Sequence, residues 1–260
     1  MLGGLLTCLL SGSGFAASTR SQAHCHSVKP ATAGADSIFV VNPATNALSV
    51  FPSGSSGNAP SLVTNPGLAS PSGIARDSAG NIYVANSGGS AISVYAPGAT
   101  GSPNPIAMIA GSNTGLNYPV GIAVDSSGNI FVADAGSSDG GTDNIFVFPS
   151  GSNGNVAPIA VRFQYRAQLA IALALGSTGN IYVTNDASQF RPGSVTVYSA
   201  GSNGNVPPVT TLAVRATGLV TPAGITGGGD PLGTVEMFPA GSTGNTAPTL
   251  IMAGSCSCSG

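Results

Sequence analysis

The sequence predicts an all-β domain built from repeated sheets, and two observations lead there. One phrase recurs: GIARDSAGNIYVAN at 73–86, GIAVDSSGNIFVAD at 121–134 and a worn ALALGSTGNIYVTN at 172–185. Its glycines Gly80, Gly128 and Gly179 stand 48 and 51 residues apart. Between the copies lies only short strand-like text punctuated by turn residues, with no helix evident. Self-similarity at that period denotes a β-propeller or a related array of radially packed sheets.

Each unit parses into four strands. The innermost, GIA followed by Val or Arg, carries small residues suited to a crowded channel wall. The turns Asp77 to Asn81 and Asp125 to Asn129 follow, where Asp caps its own turn and Gly supplies the left-handed residue. The second strands, NIYVAN and NIFVAD, alternate in period two as half-buried strands do. The third strands read ALSVF (47–51), AISVY (91–95), NIFVF (144–148), SVTVY (194–198) and TVEMF (234–238). A second motif then repeats: PSGSSGNAP (52–60), PSGSNGNVAP (149–158), SAGSNGNVPP (199–208), PAGSTGNTAP (239–248) and a drifted PGATGSPNP (97–105). This is turn chemistry leading to a fourth strand such as PIAMIA (105–110) or PTLIMA (248–253). Pro71, Pro119 and Pro222 announce inner strands, and LAIALAL (169–175) reads as a buried one, too short for a membrane span.

The pattern resembles the NHL-repeat family, whose units carry P-x-G-I-A-V-D-x-x-G-N-I-Y-V-A-D. The resemblance runs from about residue 36 to 253. It implies a β-propeller of about five four-stranded blades, the first and last incomplete. Unit one, from DSIFVVN (36–42), has no recognisable inner strand, and unit five, GITGGGDPLGTVEMF, lacks the Asp turn and second strand. Family propellers usually have six blades, so a six-bladed or open ring is the alternative, and a truncated propeller without maintained activity also fits these gaps.

Composition narrows the function. Charged residues are 6% of the 260 and the net charge is −2; Lys29 is the sole lysine and six arginines are scattered. Nothing there neutralises a phosphate backbone, so no nucleic-acid partner is expected. Residues 1–17 hold a signal-peptide-like apolar stretch, with Gly14 and Ala16 suited to a cleavage site, although no basic residue precedes Arg20. Leu5-Leu6-Thr7-Cys8 is a weak lipobox resemblance. The expectation is a secreted or cell-envelope protein without an integral membrane span in the mature chain. A disordered linker (18–35), the propeller (36–253) and a Cys/Ser/Gly tail (254–260) complete the organisation. Cys25 and Cys256 or Cys258 flank the repeats and are candidates for a disulfide joining the chain ends; the alternative is free thiols in frayed termini.

Candidate ligand contacts come from the ends of the second strands: Asn42, Asn86, Asp134, Asn185 and neighbouring Asp186. A ring of amides and carboxylates can hold calcium, a sugar or a peptide; alternatively these residues cap strand ends. Asp134, Asp139 and Asp143 form the most acidic loop, a weak calcium candidate whose spacing is not that of an EF-hand. His24 and His26 lie ahead of the repeats, so no histidine base or zinc site is available within the blades. That counts against the zinc-dependent propeller lyases. Lactonase-type propellers use a glutamate among their calcium ligands, and Glu236, on a third strand, is poorly placed for it. The reading is a non-catalytic scaffold for a protein, peptide or glycan, requiring no cofactor. The alternative is a calcium-dependent lactonase-like hydrolase.

Overall fold

The computed structural model describes residues 37–52, 54–58, 63–66, 68–99, 101–136, 144–163, 170–185, 193–213, 225, 234–237 and 250–253. The proposed signal segment, the linker, the three flanking cysteines, Asp139, Asp143 and Asp186 lie outside them.

Five antiparallel sheets follow one another along the chain. The first contains β1 (Ile38–Asn42), β2 (Ala47–Phe51) and β3 (Val63–Pro66). The second contains β4 (Pro71–Arg76), β5 (Ile82–Asn86), β6 (Ala91–Tyr95) and β7 (Ala107–Ala110). The third contains β8 (Pro119–Val124), β9 (Ile130–Asp134), β10 (Asn144–Phe148) and β11 (Ala160–Phe163). The fourth contains β12 (Ala170–Leu175), β13 (Ile181–Asn185), β14 (Ser194–Tyr198) and β15 (Thr210–Ala213). The last is the pair β16 (Thr234–Met237) and β17 (Leu250–Ala253). Blades two to four have the expected four strands in order. Among the described residues blade one begins at the second strand, as β1 answers in sequence and register to β5, β9 and β13. The fifth shows its outer pair.

The turn chemistry is as read. Asp77 accepts the N–H and side-chain N–H of Asn81, both at 2.8 Å, and the Tyr83 hydroxyl at 3.0 Å. Asp125 holds Asn129 in the same way, and Gly80 and Gly128 take φ of +90° and +83°. In the worn unit Gly176 has no carboxylate to offer, yet its N–H still reaches the Asn180 carbonyl at 2.9 Å. The backbone turn therefore outlives its cap.

Burial raises the Asp77 pKa, but the Asn81 side chain, the Asn81 N–H, the Tyr83 hydroxyl and the Gly80 N–H outweigh it, leaving a net value below the ordinary 3.8. For Tyr83, burial and then the Asp77 hydrogen bond push the phenol up to about 12. Because the folded Asp77 value is depressed, its stabilising contribution is present above the unfolded pKa and is lost as pH falls through the folded one. Thermal midpoints of the wild type and Asp77→Asn measured from pH 6 to pH 2 should therefore converge at the acid end.

The second strands depart from expectation. β5 and β9 are buried at every residue, not on one face, because each sheet is sandwiched between neighbours. Leu48 and Val50 of β2 pack on Ile82 and Val84 of β5. Ile92 and Val94 of β6 cover Ile130 and Val132 of β9. Ile145 and Val147 of β10 cover Ile181 and Val183 of β13. The core is thus a series of inter-blade layers, each with the third strand of one blade on the second strand of the next.

The Ser-x-Gly-Asn loops do more than turn. Asn153 accepts the N–H of Met108 at 3.0 Å through Oδ1, and the Gly154 N–H reaches the Met108 carbonyl at 2.7 Å. Gly154 and Ile109 form a parallel bridge, and Asn155 accepts the Asn113 N–H at 2.7 Å. One blade on, Asn203 accepts the Val161 N–H at 3.1 Å and Gly204 N–H donates to the Val161 carbonyl at 2.9 Å. Each loop is a clasp onto the outer strand of the preceding blade. Both clasps are Asn-Gly dipeptides, whose deamidation requires the glycine nitrogen to attack the asparagine side chain. That nitrogen is hydrogen-bonded to the preceding blade here. Peptide mapping of aged protein should show slower deamidation at Asn153 and Asn203 in the folded chain than in urea.

Candidate functional site

The strand ends that carry the sequence-predicted residues form one rim. Pro71 pairs with Asn86, Pro119 with Asp134 and Ala170 with Asn185, so the start of each inner strand and the end of each second strand meet there. The Asp turns and the Ser-x-Gly-Asn loops attach at the opposite ends, since Val124 and Phe148 both pair with Ile130.

At this rim the repeated polar residues face inward. Asp134 is 1% exposed. Its carboxylate accepts the N–H of Asn117 at 2.8 Å, of Tyr118 at 3.2 Å and of Gly136 at 3.0 Å. Asn86 accepts the N–H of Ala69 at 3.3 Å and donates to Ser93 Oγ at 3.0 Å. Both residues therefore seize the chain as it enters the inner strand of their own blade. Asn185 is fully buried and donates to Thr196 Oγ1 at 3.1 Å. Its Oδ1 has no hydrogen-bond partner among the described residues; the residues two and one before β12, which answer to Asn117 and Tyr118, lie outside them. Asn42 differs. It is exposed, and its Oδ1 accepts the Ala44 and Thr45 N–H groups at 3.0 and 3.3 Å.

A buried carboxylate ringed by backbone donors has its lone pairs occupied, which makes it an anchor for the polypeptide. The groups open to solvent are others, which the repeated letters did not single out. Tyr118 is 47% exposed. Ser90, in a left-handed conformation with φ +47°, donates through Oγ to the Asn117 carbonyl at 2.6 Å, tying blade two to blade three. Ser72, also exposed, donates to the Pro119 carbonyl at 2.8 Å across the same seam, whereas Ser87 is buried and donates within its own blade to the Ser70 carbonyl at 2.7 Å. The described rim is hydroxyl, amide and peptide chemistry. Among the described residues no three His, Cys, Asp or Glu side chains gather as a metal site. No described helix is long and apolar enough to cross a membrane.

Repeated four-stranded sheets joined at their inner strands define a β-propeller, and solved structures share that fold. These include hydrazine synthase of Kuenenia stuttgartiensis, with TM-score 0.54 and 15% identity, covering 75% of this chain and 53% of that one. A protein of unknown function from Bacteroides caccae aligns with TM-score 0.53 and 13% identity, covering 76% and 64% of the two chains. The WD40 propeller domain of Doa1 gives TM-score 0.54 and 11% identity, covering 78% and 57%. The chain thus spans less than two thirds of each. No curated protein matches it. Within the propeller class the chain carries NHL repeats at two places: the NHL-repeat family model matches residues 68–95, which hold β4, β5 and β6 of blade two, and 116–138, which hold β8 and β9 of blade three.

Proposed function

We propose that the protein is an exported, non-catalytic propeller that uses the rim at the ends of its second strands to bind a protein, peptide or glycan. The observation that carries this reading is the state of Asp134. It is the repeated strand-end residue with a carboxylate, and three backbone N–H groups occupy it. Among the described residues, what remains for a ligand is a rim of hydroxyls, amides and peptide groups with an exposed aromatic ring, which suits hydrogen-bonded recognition with stacking. In the sequence, the stretches between β11 and β12 and between β13 and β14 contain Gln164, Tyr165, Gln168, Gln189 and Phe190. These residue types suit sugar hydroxyls and peptide amides, and the low charge suits a neutral ligand.

Purified protein screened against glycan and peptide arrays is expected to show selective binding. Tyr118→Ala should weaken it with no change in thermal midpoint. Stoichiometric calcium in protein purified without chelators, together with lactone hydrolysis abolished by chelation, would instead establish the hydrolase reading.

A further inference from the structure

The residues that lead into the inner strands of blades two and three are held alike and differ in what they show to solvent. In blade two Ala69 and Ser70 precede β4. The Ala69 N–H reaches Asn86 Oδ1 at 3.3 Å, and the Ser87 N–H reaches the Ser70 carbonyl at 3.2 Å. In blade three Asn117 and Tyr118 stand at these positions, with Asp134 and Ala135 in the roles of Asn86 and Ser87. The blade-three latch is the tighter one. Both N–H groups go to the Asp134 carboxylate, at 2.8 and 3.2 Å. The Asn117 carbonyl accepts Ser90 Oγ at 2.6 Å, and the Tyr118 carbonyl accepts the Ala135 N–H at 3.0 Å. The N–H and C=O groups of both residues are thus fixed. Both side chains are exposed, and neither forms a hydrogen bond with a described residue. Blade two shows that the latch works with the side chains of alanine and serine. An amide and a phenol here answer no need of the fold.

We infer that Asn117 and Tyr118 are the primary contact for a glycan, with a pyranose ring stacked on the phenol and its hydroxyls bonded to the Asn117 amide. The inference rests on the rim reading above and chooses among its ligands. A pyranose has an apolar face of C–H groups, which the electron-rich face of an aromatic ring attracts. Its edge is hydroxyl, which an amide serves as both donor and acceptor. A main chain already fixed on both sides loses little freedom on binding. Two observations count against a peptide. Peptides dock on sheets by adding a strand to an open edge, and the outer edges of β7 and β11 are already bonded to the clasps at Met108 and Val161. Side-chain recognition asks for an apolar pocket. The other exposed large apolar residues among those described lie on β1, or on and just before the fourth strands. The seam at Tyr118 instead carries the hydroxyls of Ser90 and Ser72, bound to the carbonyls of the residues before and after it.

The test gives blade three the pair that blade two carries, Asn117→Ala with Tyr118→Ser, and compares it in the full chain with wild type, Tyr118→Phe and Tyr118→Ala. Wild type is screened on arrays of pyranose oligosaccharides and of peptides, and affinities are titrated with the oligosaccharide it binds most strongly. Affinity is expected to fall about tenfold in Tyr118→Ala and further in the double variant, and to stay within about twofold in Tyr118→Phe, which keeps the stacking face. Thermal midpoints should not move. Equal glycan binding by wild type and the double variant overturns the inference and leaves the rim reading with another contact. A Tyr118→Phe variant as weak as Tyr118→Ala overturns the stacking and assigns the contact to the hydroxyl. Selective peptide binding without glycan binding overturns the inference in favour of a peptide at the rim. Binding to neither array overturns it together with the glycan and peptide arms of that reading.

Discussion

Gly73→Ala is expected to be among the most destabilising single substitutions in the chain, costing about 3 kcal/mol, the upper end of ordinary overpacking. The inner strands β4, β8 and β12 lie side by side. A Cβ on Gly73 would overlap the carbonyl oxygen of Val120 and press on Ile122. Gly121 repeats the situation one blade on, where a Cβ would sit 2.9 Å from Ala172 Cα and from Leu173 N. These obstacles are main chain, so a rotamer change cannot relieve them. The same position in the fourth blade holds Ala172, and Ala172→Gly should cost about 1 kcal/mol or less, from backbone entropy alone. Urea unfolding of Gly73→Ala, Gly121→Ala and Ala172→Gly checks the contrast. Equal small effects would mean that the inner strands are not in backbone contact.

These glycines show how far the sequence could be read. The motif GIA announced small residues at a crowded wall, and the prolines marked the inner strands where Pro71 and Pro119 begin them. The third-strand text matched β2, β6, β10 and β14 residue for residue, because each run is short, apolar and bounded by turn residues. Burial on both faces of β5 and β9 was not legible. Period-two alternation of Ile and Val with Tyr, Phe and Ala is apolar on both sides, and the presence of a second covering sheet is a property of the stack. The clasps were hidden for a related reason. Ser-Asn-Gly-Asn has a sufficient local explanation as a turn, and Met108 lies 45 residues before the Asn153 that holds it. The strand-end residues were found as candidates, with capping as the alternative. The groups they hold lie 16 or 17 residues upstream, in segments whose text does not repeat.

Asp134→Ala should remove the acceptor for three backbone N–H groups, one buried and two part-buried, and cost about 3 kcal/mol, since a stranded buried donor carries about 1–3 kcal/mol, water reaches the other two and the three are not additive. Asp134→Asn is the informative companion. Asn86 shows that an amide oxygen can hold the incoming chain at this position, so the asparagine variant should lose about 1–2 kcal/mol, keeping one acceptor of two. Stability measured by urea unfolding should thus fall in the order wild type, Asn, Ala, and chelator or added calcium should leave that order and its spacing unchanged. If Asp134→Ala instead folded as stably as wild type while losing a bound ion, the carboxylate would belong to a ligand, and the polar rim would have to be read as a metal centre. A stability cost without any ligand effect places Asp134 in the scaffold that positions Tyr118, whose N–H it binds while the phenol ring stands in solvent.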